Sequence, residues 1–102
     1  MAIRVEVSEQ VVAFVAGRAP EPRRVLRAAL RGLTKEAGDL RALEGSLKEY
    51  HRLRVRGYRI IFAYRVVGRQ RAIQCIFAER RDVVYELFQR LLEEQLLERE
   101  QE

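Results

Sequence analysis

Residues 49–78, EYHRLRVRGYRIIFAYRVVGRQRAIQCIFA, are rich in β-branched and aromatic side chains and are interrupted at Gly57 and again at Gly68-Arg69. This spacing predicts three consecutive antiparallel strands joined by tight turns. In the middle segment Ile60, Ile61, Phe62 and Ala63 are apolar on both parities, the pattern of a strand covered on both faces and therefore central in its sheet. In the first segment one parity carries Lys48, Tyr50, Arg52, Arg54 and Arg56, and the other Glu49, His51, Leu53 and Val55. Successive side chains point to opposite faces, so Leu53 and Val55 are expected in the core. Tyr50, Arg52 and Arg54 are then expected on an open face, at steps of ~7 Å.

Working outward, Ile3, Val5 and Val7 alternate with Arg4 and Glu6, which predicts a half-buried first strand. Ser8 reads as the cap of a short helix with an apolar stripe of Val11, Val12, Phe14 and Val15, ended by Gly17 in a left-handed conformation. Pro20 and Pro22 open a second helix that faces Val25, Leu26, Ala29, Leu30 and Leu33 inward and stops at Gly38. Residues 39–47, DLRALEGSL, have no clean period and read as a loop pinned by Leu40, Leu43 and Leu47. From about Arg81, the residues Val84, Leu87, Phe88, Leu91 and Leu92 recur at helical spacing and continue to Leu96 and Leu97. The order β-α-α-β-β-β-α predicts an α+β fold: an antiparallel sheet with two N-terminal helices packed on one face and a C-terminal helix. Residues 1–92 form one domain in this reading, and 93–102 an acidic extension of the last helix.

The 102 residues suffice for one domain, and 48% hydrophobic with 34% charged residues is ordinary globular composition. With neither a long apolar run nor a leader pattern, the chain reads as soluble and cytoplasmic. One cysteine, Cys75, and one histidine, His51, give no plausible metal ligand set, so neither metal nor cofactor is expected. By parity Cys75 reads as a buried small hydrophobe alternating with Ile73 and Phe77, and His51 as a core or rim side chain before a catalytic one.

Charge is unevenly spread. The first 92 residues hold 19 basic and 10 acidic side chains, or +9, whereas residues 93–102 hold five Glu against Arg99, or −4. Residues 48–71 alone carry Lys48 and seven Arg against Glu49. Such a block suits a polyanionic partner, with an Arg-rich solvated face as the alternative. A tyrosine beside a row of guanidinium groups can stack a base while clamping phosphate, which makes Lys48, Tyr50 and Arg56 candidate RNA contacts. A second cluster, AERRDVVYELF, places Arg80, Arg81 and Tyr85 where the last strand enters the helix, with Asp82 as a cap or an arginine partner. On a helix, Arg81 and Tyr85 would share a face. Arg80 and Arg81 could equally pair on the surface with Glu79, Asp82 or Glu86.

The runs LRALEGSLKEYHRLRVRGYRIIFAYRVV (40–67) and FAERRDVVYELF (77–88) resemble the RelE/ParE superfamily of bacterial and archaeal type II toxins. The shared pattern is L-x-G, a Tyr-x-basic-apolar-basic strand, G-Y-R followed by two apolar residues, and a late basic pair before V-Y. The resemblance implies a toxin neutralised by an antitoxin protein. RelE-like members cut messenger RNA on the ribosome through attack by the RNA's 2′-OH, without metal; ParE-like members poison DNA gyrase and are not nucleases. A non-toxic, antitoxin-binding relative is the third possibility. Carried over by motif, Arg52, Arg54, Arg59 and Tyr85 fall on catalytic positions, with the late arginine supplied by Arg80 or Arg81. Arginines replace the lysines of RelE at Arg52 and Arg54, which leaves them electrostatic roles alone, since guanidinium keeps its proton. The acidic extension is outside the family pattern, and its leucines could contact an antitoxin or pair two copies of the chain in a homodimer.

Overall fold

The computed structural model describes residues 3–100. The chain runs β1 (Arg4–Val7), α1 (Glu9–Ala16), α2 (Pro20–Gly32), β2 (Asp39–Ala42), β3 (His51–Val55), β4 (Tyr58–Val67), β5 (Gln70–Arg80) and α3 (Val84–Glu100), with 3-10 turns at Leu33–Lys35 and Gly45–Leu47. It is an α+β fold on a five-stranded sheet of order β1-β5-β4-β3-β2, with β4 in the centre as its two-sided apolar pattern requires. The β3-β4-β5 meander is antiparallel, closed by two-residue turns at Arg56-Gly57 and Gly68-Arg69. In the first turn the left-handed residue is Arg56, at φ 53°.

The two faces of β4 feed two separate clusters. Ile60 and Phe62 meet Val11, Val15, Leu26 and Leu33 of the α1–α2 side, together with Leu53, Val55, Ile73, Cys75 and Ala78. Ile61 turns the other way and packs with Leu47, Val84 and Phe88 under α3, flanked by Leu43, Tyr50, Phe77 and Tyr85. Helices thus cover both faces, α1 and α2 on one and the first half of α3 on the other.

Several local expectations change. β1 joins the sheet parallel to β5, Val5 opposite Ile73, so the sheet is mixed and not wholly antiparallel. Residues 39–42 are not loop but the edge strand β2, antiparallel to β3 with Arg41 opposite Arg52. α2 stops at Gly32 and passes through a 3-10 turn to Glu36 at φ 51°, ahead of Gly38. Gly38 itself serves a close approach: it sits at φ 117°, and a Cβ there would lie 2.9 Å from Leu53 Cδ1. Gly17 ends α1 in a right-handed conformation, φ −80°, while Ser8 does cap that helix, its Oγ accepting from the Val11 N–H.

The largest change is in β5. Ile61 pairs with Phe77 but Phe62 pairs with Cys75, so Ile76 is an inserted residue, a β-bulge that reverses the side-chain parity beyond it. Phe77 therefore leaves the Ile73–Cys75 face and joins the cluster under α3. The bulge is tied down locally: Ser8 Oγ donates to the Ile76 carbonyl at 2.8 Å. Beyond the end of β1, the Gln10 amide continues the ladder by donating to Ala78 O and accepting from Ala78 N–H, both at 2.8 Å.

Candidate nucleic-acid interface

The strand registers arrange the charges on the α3 side into two cross-strand rows. One is Arg41–Arg52–Ile61–Phe77, and the next is Asp39–Arg54–Arg59–Glu79. Opposite residues in such ladders have Cβ atoms ~5 Å apart, so Arg54 and Arg59 form a like-charge pair flanked by a carboxylate on each side. Asp39 is taken up by Arg52 and Glu79 by the Arg80 N–H, so the exposed Arg54 guanidinium keeps its donors free among the described residues, which makes this row a candidate phosphate seat.

An open cleft of about 390 Å³ lies beside the first row, lined by Arg41, Ala42, Leu43, Glu44, Leu47, Arg52 and Tyr85. The edge strand brings in Arg41, β3 brings in Arg52, and the first turn of α3 brings in Tyr85, held there because Val84 and Phe88 are fully buried on the sheet. Arg52 is the most constrained of these. Its side chain is 11% exposed, and one terminal nitrogen donates to the Asp39 carboxylate at 3.2 Å and to the Asp39 carbonyl at 3.0 Å. Arg41 and Arg54 are exposed and make no ion pair or side-chain hydrogen bond among the described residues. Arg59 is half-buried and donates to the carbonyls of Tyr58 and Arg56 at 2.8 and 2.9 Å, which fixes it against the β3–β4 turn.

The other expected residues do not converge here. Tyr50 is no open stacking platform: its ring packs edge-on against Phe88, centroids 4.9 Å apart, because α3 covers that end of the face. Lys48 is exposed and precedes β3, capping the 3-10 turn. Arg56 sits in the β3–β4 turn and pairs at 2.9 Å with Glu21 of α2, whose carboxyl it holds below the ordinary value through hydrogen bond and charge. Arg80 lies opposite Tyr58 in register and so belongs to the α1 side, where it lines a different cleft of about 410 Å³ with Phe14, Arg18 and Asp82. Arg81 is exposed in the turn before α3, not on the helix, so the expected helical face shared with Tyr85 does not form. Asp82 makes neither a cap bond nor an ion pair among the described residues, and Glu86 pairs with Arg90.

Arg41 is the residue that sequence reasoning passed over. Its signal was the alternation of Leu40 inward with Asp39 and Arg41 outward, four residues too short and too polar to stand out. His51 is on the opposite face, stacked on Phe62 at 5.5 Å and edge-on to Tyr64 at 4.9 Å, as a rim side chain would be. Burial removes Cys75 from chemistry, pushing its thiol up to about 12. Among the described residues there is no cluster of His, Cys, Asp and Glu fit to hold a metal ion, and no helix is long and apolar enough to cross a membrane.

Strand order, helix placement and the mixed sheet together make a fold that is also found among solved structures. Among solved structures the chain is similar to a YoeB/ParE toxin from Agrobacterium tumefaciens, with a TM-score of 0.59 and 12% identity over 76% of this chain and 98% of that one. No protein-family model matches the sequence, and no curated protein does.

Proposed function

We propose that the chain is the toxin of a toxin–antitoxin pair, acting in the cytoplasm as an RNA endonuclease of the RelE kind on ribosome-bound messenger RNA. The observation that carries this reading is the meeting of Arg41, Arg52 and Tyr85 in one cleft, beside the Arg54–Arg59 pair. In this scheme Arg41 and Arg54 take the phosphate, which also draws Arg52 from Asp39, and Arg59 backs the developing charge. Tyr85 donates a hydrogen bond where charge builds on phosphoryl or leaving oxygen. The nucleophile is the RNA's own 2′-OH: its oxygen bonds to the adjacent phosphorus as the bond to the 5′-oxygen breaks, leaving a 2′,3′-cyclic phosphate and a 5′-hydroxyl. The proton is lost to water and one is regained from water by the leaving oxygen, so the protein supplies position and electrostatics. A cognate antitoxin is the implied protein partner.

A second reading is favoured by one feature: no imidazole lies in the cleft, since His51 is on the far face. A ParE-like poison of DNA gyrase, which makes no cut in RNA, needs no such group. In vitro translation with added protein, followed by primer-extension mapping of messenger ends, separates the two. Discrete breaks that vanish with Tyr85→Phe support the endonuclease; intact messenger together with blocked gyrase supercoiling supports the poison.

A further inference from the structure

The distal half of α3 is unlike the rest of the molecule. Glu93 to Glu100 are all exposed, with Leu96 at 58% and Leu97 at 57%. Residues three, four and seven apart share a helix face, so Glu93, Leu96, Leu97 and Glu100 form one stripe, two leucines between two carboxylates. None of the four glutamates from Glu93 to Glu100 is in an ion pair among the described residues. The stripe has an apolar centre and anionic ends. The cleft at Arg41 has the converse make-up: Ala42, Leu43 and Leu47 offer apolar contact beside Arg41 and Arg52, with Glu44 as the single opposing charge on its wall.

The stripe cannot reach its own cleft. α3 is continuous from Val84 to Glu100, and at 1.5 Å per residue Leu96 lies about 17 Å along the axis from Tyr85. We propose that the stripe docks in the Arg41–Arg52–Tyr85 cleft of a second copy of the chain, Leu96 and Leu97 against Leu43 and Leu47 and a flanking carboxylate against Arg41. Charge favours this occupant, because an acidic tail meets a body of opposite sign. A two-fold arrangement seats both tails at once, giving a closed dimer in which each copy covers the other's cleft. The monomer exposes the cleft and the dimer shuts it, so a polyanion competes with self-association. Whether the cleft cuts RNA has no bearing on this docking, which is read by mass alone.

Sedimentation of the full chain across about 1 to 100 μM tests it. The expected result is a monomer–dimer equilibrium that shifts toward monomer as salt rises. Leu96→Glu and Arg41→Glu, both at exposed positions and checked for native circular dichroism, should each weaken the dimer at least about tenfold. Joining Arg41→Glu to Glu93→Arg and Glu100→Arg should restore it to within about threefold of the parent. A chain that stays monomeric throughout overturns the proposal. So does a dimer lost with Leu96→Glu but indifferent to Arg41→Glu, which would mean that leucine stripes pair with each other away from the cleft; failure of the charge exchange to restore association does the same.

Discussion

The two faces of the sheet solve different problems with the same strands. On the α1–α2 side Leu53 and Val55 of β3 and Ile60 and Phe62 of β4 are apolar and covered, and His51, at the start of β3, is wedged between the rings of Phe62 and Tyr64. On the α3 side the helix covers Ile61, Phe77, Tyr50 and Leu47, leaving the neighbouring Arg41–Arg52 and Arg54–Arg59 rungs at the margin of water. One face is a core, and the other is half core and half binding surface. Strand alternation lets a single segment, His51–Val55, serve both without either compromising the other.

This contrast predicts that substitutions on the first face act on stability and those on the second on function. Phe62→Ala, at a side chain with no exposure, should cost about 3–5 kcal/mol in denaturant unfolding. In the proposed endonuclease Tyr85→Phe should lower messenger cleavage on the order of 100-fold while moving the unfolding midpoint little, read by the same primer-extension assay and by urea melts. A large stability loss with retained cleavage would break the comparison. Gly38→Ala tests the link between the faces. Its positive φ and the 2.9 Å approach to Leu53 should together cost roughly 1–3 kcal/mol, and the strained β2 should loosen Arg41.

Smaller effects sharpen the charged face. Asp39→Asn frees Arg52 from its carboxylate, so affinity for a short RNA should rise a few-fold, with a steeper salt dependence, in a fluorescence titration. On the outer edge, Arg56 holds the Glu21 carboxyl below its ordinary value. That pair stabilises the native state above the unfolded carboxyl's pKa, near 4.3, and its contribution fades as pH falls through the lower folded value. Arg56→Ala should therefore slightly flatten the fall of stability with acid below about pH 5, the weakest effect here because both partners are exposed.

The long strands and their inner faces were legible because local chemistry decides them. Ile60 to Ala63 announced a central strand, Leu53 and Val55 chose the core side of β3, and Ser8 marked a helix start. What escaped was set by distant partners. β2 is a strand because β3 offers an edge to Asp39–Ala42, and β1 is parallel because the chain returns to it only at β5. For the site, parity grouped Arg52 and Arg54 with Tyr50 on one face, and the motif reading added Arg59 and Tyr85, which lie on the same side. Parity could not foresee α3 lying across Tyr50, the turn that carries Arg56 away to Glu21, or Arg80 crossing to the α1 side. Arg41 was hidden with the strand that bears it.

The extra residue at Ile76 gives the sheet a phase lock. Ile73 and Cys75 before it, and Ala78 after it, all look toward α1, because the insertion lets β5 switch the phase of its alternation midway. Pairing Ile76 in a regular ladder, with no residue set aside as the bulge, would leave every later side chain of β5 half a period out of step. Phe77 and Ala78 would trade sides, and the chain would leave the strand aimed at the wrong hemisphere. The position of Tyr85 over the arginines is thus inherited from one surplus peptide unit whose carbonyl is anchored by Ser8.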